Sequence, residues 1–100
     1  MDVNYELGEY KFVWDSDKAA INLKKHKIAF EEAARIFLDD YRLEYFDKLH
    51  SDDEERIKSI GFVRNVVTVI YTERSNINRI ISARRATKRE EEEYFEQFGQ

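Results

Sequence analysis

Arg56-Ile57-Lys58-Ser59-Ile60-Gly61-Phe62-Val63, then Arg64-Asn65, then Val66-Val67-Thr68-Val69-Ile70-Tyr71-Thr72: this run decides the fold. Two stretches rich in β-branched and aromatic residues flank a two-residue connection, the pattern of a hairpin. The second stretch is almost continuously β-branched, which suits a central strand covered on both sides. Downstream, Ser75-Asn76 turns the chain and residues 77–84 give a further strand. Upstream, Leu43-Glu44-Tyr45-Phe46 alternates as a strand, and His50 to Glu54 is a polar turn region in which His50 is expected to be solvated. Before it, Phe30, Ala33, Ala34, Phe37 and Leu38 recur at helical spacing and form one apolar stripe. Residues 18–26 make an earlier helix, with apolar positions at Ala19, Ala20, Ile21 and Leu23 and Asp15 or Ser16 as its N-cap. Tyr10-Lys11-Phe12-Val13-Trp14 is a short strand. At the far end, Thr87 followed three residues later by Glu90 is a capping box, opening a helix whose buried edge is Tyr94, Phe95 and Phe98. The order predicts an α+β domain: an antiparallel four-stranded sheet packed on one face by two N-terminal helices and one C-terminal helix. Residues 1–100 form a single unit, with 1–9 expected to be loosely ordered.

The chain has 100 residues, 42% hydrophobic and 14% aromatic, so it can build one core. Phe12, Trp14, Phe30, Phe37, Phe46, Phe62, Tyr71 and Phe95 carry much of the apolar surface available to it. No apolar run reaches membrane-spanning length and none follows a basic N-terminus, so the expected location is the cytoplasm. Cysteine is absent, and the only histidines, His26 and His50, lie far apart. Disulfides, thiolate chemistry and the usual metal-ligand spacings are therefore not expected, nor is a cofactor. The net charge of −4 opposes a simple electrostatic nucleic-acid binder, but the distribution is uneven. Arg79, Arg84, Arg85, Lys88 and Arg89 fall together without an acid among them, and Glu90, Glu91, Glu92, Glu93 and Glu96 follow at once.

Several motifs now stand in one order. Phe12-Val13-Trp14-Asp15 precedes Lys18 and Asn22-Leu23-Lys24-Lys25-His26-Lys27-Ile28-Ala29-Phe30-Glu31-Glu32-Ala33; then come Glu54-Glu55-Arg56, Ile60-Gly61, Tyr71-Thr72-Glu73-Arg74, and Arg79-Ile80-Ile81-Ser82-Ala83-Arg84-Arg85-Ala86-Thr87 with Glu90. In this order the chain resembles the BrnT family, which belongs with the RelE-like toxins. The resemblance implies a small ribonuclease toxin of a type II toxin–antitoxin system, acting without metal and arresting growth. It also implies a cognate BrnA-like antitoxin of the ribbon-helix-helix kind, through which the complex would reach DNA indirectly. Family members usually carry Gly where this chain has Lys27 and Ser where it has Ala29. Gly there ends a helix in the left-handed conformation and Ser caps the next, so the two departures should weaken that corner by about 1–2 kcal/mol.

Metal-free RNA cleavage uses the 2′-hydroxyl against the neighbouring phosphate. A site must accept the hydroxyl proton, neutralise charge on the phosphorane and support the departing 5′-oxygen. Guanidinium suits the second task, being permanently charged and matched to phosphate oxygens. Arg79 shares strand parity with Ile77, Ile81 and Ala83, so it is expected on an apolar face where a charge needs a cleft or a partner, Glu73 being the bland choice. Arg84 and Arg85 point to opposite faces; one can meet phosphate while the other faces solvent or the acidic helix. Lys88 and Arg89 stand in the first turn of the last helix, where cations oppose the dipole: a binding surface, or ordinary solvated charge. Arg56 can stabilise phosphate with Glu55 as proton acceptor, or the acidic turn can simply be solvated. His26 is the natural acid–base group by its pKa near ~6.5, yet the last turn of a helix favours His without any catalysis. Lys25 divides in the same way between phosphate positioning and a helix-end cation. The catalytic candidates are thus His26, Glu55, Arg56, Arg79 and Arg84; Lys25, Glu73, Arg85, Lys88 and Arg89 are RNA-binding candidates. Tyr71 should pack in the core with its hydroxyl at the rim.

A different class of function remains open: a non-catalytic interaction module, docking through its acidic helix and exposed aromatics and acting as co-repressor with a DNA-binding partner. Direct DNA reading by this chain is disfavoured, because no helix is rich in Arg, Asn and Gln and the net charge has the wrong sign.

Overall fold

A computed structural model of the chain describes residues 1–47 and 55–99. Its elements are β1 (Asp2–Leu7), β2 (Tyr10–Asp15), α1 (Ser16–His26), α2 (Phe30–Ala34) running into a 3-10 turn over Arg35–Leu38, β3 (Leu43–Asp47), β4 (Arg56–Val63), β5 (Asn65–Arg74), β6 (Ile77–Arg85) and α3 (Lys88–Glu96). The α+β class and the β3-to-β6 antiparallel meander appear as expected. The sheet is nevertheless larger than the expected four strands. It has six, in the order β1-β2-β6-β5-β4-β3.

Two N-terminal strands account for the difference. The segment expected to be loose pairs with β2 at six positions, from Asp2 opposite Asp15 to Leu7 opposite Tyr10. Its alternation explains why: Val3, Tyr5 and Leu7 are half-buried against the core, while Asp2, Asn4 and Glu6 face water. Gly8, at φ 59°, supplies the positive dihedral of the tight hairpin turn. β2 then joins β6 in parallel through Lys11, Phe12 and Val13, making the sheet mixed.

The helices divide between the faces instead of sharing one. α1 and α2 cover the face that carries Phe12, Trp14, Val69, Tyr71, Ile80 and Ala83, adding Ile28, Phe30, Ala33 and Phe37 to the main core. α3 covers one end of the opposite face, where Tyr94 meets Ile60 and Val66. The 3-10 turn lies close over β4: a Cβ on Gly61 would come within 2.8 Å of the Ile36 Cβ, so only glycine fits there. Leu38 is left half-exposed at the end of the stripe. α3 has the full capping box between Thr87 and Glu90. Its buried edge is Glu90 and Tyr94, however, and Phe95 and Phe98 remain 49% and 52% exposed. Phe46 and Phe62, counted in the sequence among the large apolar residues, are exposed on edge and end positions.

α1 is anchored by a polar residue. Ile21 and Leu23 face water, and the buried position is Asn22, at 6% exposure. Its amide donates to the Ala83 carbonyl (2.9 Å) and the Ile28 carbonyl (3.1 Å), and its oxygen accepts from the Ala83 N–H (3.1 Å). β2 leaves β6 after Arg79, so Ala83 has no strand on that side. Asn22 replaces the missing strand for one residue.

The register between β5 and β6 shifts between Ile70 and Tyr71: Ile70 pairs with Ser82 but Tyr71 with Ile80. Ile81 is the extra residue of a bulge, and both Ile80 and Ala83 consequently point into the core. Simple alternation placed Arg79 with Ile81 and Ala83. The bulge puts it on the opposite face from Ile80 and Ala83, beside Val13 and Thr72.

Candidate active site

Directly paired residues share a face of a sheet. By the observed registers, the face away from α1 and α2 carries Arg56 and Lys58 of β4, Thr68, Ile70, Thr72 and Arg74 of β5, and Arg79, Ser82 and Arg84 of β6. α3 closes only the end near Ile60 and Val66. Among the described residues the remainder is uncovered, and it holds two hollows. One, of about 520 Å³, is lined by Tyr45, Lys58, Ile70, Arg84, Arg89 and Glu93 among others. The other, of about 200 Å³, is lined by Val13, Thr72, Arg74, Ile77 and Arg79. Ile70 and Thr72 are consecutive positions of this face on β5, so the hollows adjoin.

Glu90 organises the covered end. Its carboxylate accepts from Arg84 Nη1 (2.8 Å) and Nη2 (3.1 Å), Thr68 Oγ1 (2.9 Å), Lys58 Nζ (3.2 Å) and the Thr87 N–H (2.9 Å). Burial pushes its pKa up, but the hydrogen bonds from Arg84, Thr87, Thr68 and Lys58 outweigh burial and hold the carboxyl well below the usual range. Arg84 is therefore a braced guanidinium with two nitrogens committed to Glu90 and its side chain 35% exposed toward the open face. Two cations share this carboxylate.

Arg79 meets a different acid from the one expected. Its Nη2 and Nη1 donate to Asp2 Oδ2 (2.8 Å) and Oδ1 (3.3 Å). The Arg79 hydrogen bond is the main cause that lowers the Asp2 carboxyl from its ordinary value. Glu73 pairs with Asn78 and lies on the opposite face, so it neither orients Arg79 nor shares its hollow. Tyr71 is buried as expected and donates its hydroxyl to Glu44 at 2.8 Å. Burial first, then Glu44, raises its pKa.

Of the sequence candidates, Arg56, Arg79 and Arg84 thus share one face, and Arg89, in the first turn of α3, borders the larger hollow with Arg84, while Arg79 lines the smaller one. Glu55 is exposed immediately before β4. Lys88 opens α3 and is exposed. Arg85 pairs with Val67 and belongs to the other face. Lys25 and His26 end α1, which also packs on that other face, so the sheet separates them from Arg56 and Arg79. His50 and Glu54 lie outside the described residues. Sequence reasoning missed Lys58, although its parity with Arg56 was readable, and it missed Asp2, which meets Arg79 across 77 positions of chain with no local signal.

These features define a small α+β protein with cationic side chains gathered on one open sheet face, a surface suited to a polyanion. The family model described as "Ribonuclease toxin, BrnT, of type II toxin-antitoxin system" matches residues 14–90, and the chain belongs to the BrnT family. It is similar to the ribonuclease toxin BrnT of Brucella abortus, known from a 1.1 Å crystal structure, with a TM-score of 0.59 and 23% identity over 75% of this chain and 94% of that one. That likeness supports the fold. No curated protein matches the chain. The matched span begins at Trp14, so β1, and Asp2 with it, falls outside it.

Proposed function

We propose that the chain is an endoribonuclease toxin that cleaves RNA by attack of the 2′-hydroxyl on the adjacent phosphate, with no metal taking part. The nucleophile belongs to the substrate, so the protein has only to move protons and stabilise charge. Arg56 and Arg79 hold the phosphate across the open face, Arg84 braced by Glu90 supports an adjoining phosphate, and Glu55 accepts the hydroxyl proton. Lys88 and Arg89 steer RNA toward the same face, and Lys25, His26, Glu73 and Arg85 have no part in the central group. The observation that carries this is the common face of Arg56, Arg79 and Arg84 in a chain of a ribonuclease-toxin family.

The same cations attract a neutralising partner, a BrnA-like ribbon-helix-helix antitoxin whose acidic segment covers the open face. The antitoxin then carries the DNA contacts, and toxin activity belongs to the cytoplasm. The exposed aromatics favour a partner surface in addition: Tyr41, Phe95 and Phe98 stand within ring contact of one another or of Tyr94.

Expression of the chain alone arrests growth, and purified chain cleaves single-stranded RNA in the presence of a chelator. Arg79→Ala, folded as the parent, relieves both. Intact RNA across a range of substrates overturns the enzyme in favour of a co-repressor module; an Arg79→Ala protein as toxic as the parent removes Arg79 from the site.

A further inference from the structure

Tyr45 stands on the edge strand β3, directly opposite Lys58, and so on the open face. It is 40% exposed, a large aromatic left in reach of solvent beside cations. The Lys58 ammonium is 5.5 Å from its ring centroid, and its hydroxyl donates to Glu93 at 3.4 Å, so the ring is held at both body and tip. Beside it the hollow of about 520 Å³ has an apolar wall in Ile70 and cationic walls in Arg84 and Arg89. That volume lies in the range of about 300–1,000 Å³ typical of small-ligand sites. Single-stranded nucleic acids are held by this combination, an aromatic face for the base and cations for its flanking phosphates.

We propose that Tyr45 is a stacking platform for one nucleobase of the bound RNA, and that Glu93 beside it selects a base bearing an exocyclic amine. The proposal rests on the ribonuclease reading and adds a specificity subsite to it. A carboxylate is an acceptor only. Cytosine, adenine and guanine offer it an exocyclic amine, whereas uracil has none and offers a single N3–H flanked by two carbonyl oxygens that repel a carboxylate. Asp47 lines the same hollow and has the same sense. Arg84 and Arg89 are placed to meet the phosphates on either side of the stacked base.

Oligonucleotides of 2′-O-methyl cytidine and 2′-O-methyl uridine have no 2′-hydroxyl to attack, so their affinities for the full chain can be read by fluorescence anisotropy without turnover. The parent binds the cytidine oligomer more tightly than the uridine one, at least about threefold. Tyr45→Leu keeps an apolar strand residue but no π face, and it lowers the affinity roughly 5- to 100-fold. Tyr45→Phe keeps parental affinity. Glu93→Gln narrows the cytidine preference. A 2-aminopurine placed in the oligomer is quenched by the parent and not by Tyr45→Leu. Parental affinity and quenching in a folded Tyr45→Leu protein overturn the platform, and equal binding of the two oligomers overturns the amine preference. A parent that binds neither oligomer overturns the ribonuclease reading itself.

Discussion

Arg79 on β6 presents two guanidinium nitrogens to the two carboxylate oxygens of Asp2 on β1, at 2.8 and 3.3 Å, with β2 lying between the two strands. A carboxylate in that fork occupies the geometry that a phosphate would take. The strand that supplies it lies outside the span shared with the family.

Asp2→Asn is therefore expected to strengthen RNA binding about two- to fivefold and to steepen its salt dependence, because a carboxylate that competes with phosphate for the Arg79 fork is removed. Both partners are substantially exposed, at 42% and 53%, so the melting temperature should hardly move. Affinity titrations at two salt concentrations decide it. An unchanged affinity would mean that Arg79 does not meet the nucleic acid.

The Asn22 amide satisfies a backbone edge that no strand covers, and truncation strands several buried groups at once. Asn22→Ala should cost about 2–4 kcal/mol in denaturant unfolding. Asn22→Asp retains an acceptor for the Ala83 N–H but sets a carboxylate against two carbonyls, so it should be no better at neutral pH. Faster hydrogen exchange at the Ala83 amide would locate the damage. A loss below about 0.5 kcal/mol in the alanine variant would show that water replaces the side chain without penalty.

What the sequence disclosed and what it concealed follow from the range of the interactions. β3 to β6 and the Thr87–Glu90 box are written in alternation and local capping, and both were readable. β1 was hidden because Asp2, Asn4 and Glu6 make it look polar, and its apolar partners arrive only when β2 pairs with it. Asn22 lies between Ile21 and Leu23, which the spacing made the apolar positions; its value depends on Ala83, 61 positions away. Arg79 was singled out through an alternation that the Ile81 bulge interrupts, so it does not share the apolar face with Ala83 that the spacing implied. The separation of His26 from Arg56 and Arg79 follows from α1 crossing behind the sheet, which no spacing in the sequence encodes.

Glu90 sets an acid limit on stability. Its carboxyl is held below the ordinary value of 4.5, so as pH falls the unfolded chain takes up a proton before the folded one does. The stabilisation is complete above about 4.5 and is lost progressively below it, with a slope of at most about 1.4 kcal/mol per pH unit from this group. Glu90→Gln should be about 3–5 kcal/mol less stable at neutral pH, since Arg84 and Lys58 lose their shared carboxylate. It should also show a shallower acid limb between pH 5 and 3. Parallel acid limbs in parent and variant would assign the pH dependence to other carboxylates.

The corner between α1 and α2 carries two local misfits that can be repaired. Lys27 sits at φ 61° and ψ 28°, the left-handed conformation, with its N–H bonded to the Leu23 carbonyl at 2.9 Å. Ala29 is the N-cap of α2 and offers no side-chain acceptor. Gly at the first position removes the Cβ clash, and Ser at the second supplies the missing acceptor. Lys27→Gly and Ala29→Ser should each raise stability by about 1 kcal/mol, measured by chemical denaturation. Because the corner lies on the far side of the sheet from Arg79 and Arg84, neither change should alter RNA cleavage. A stabilised double variant with reduced cleavage would mean that the end of α1, with His26 and Lys25, takes part in the chemistry after all.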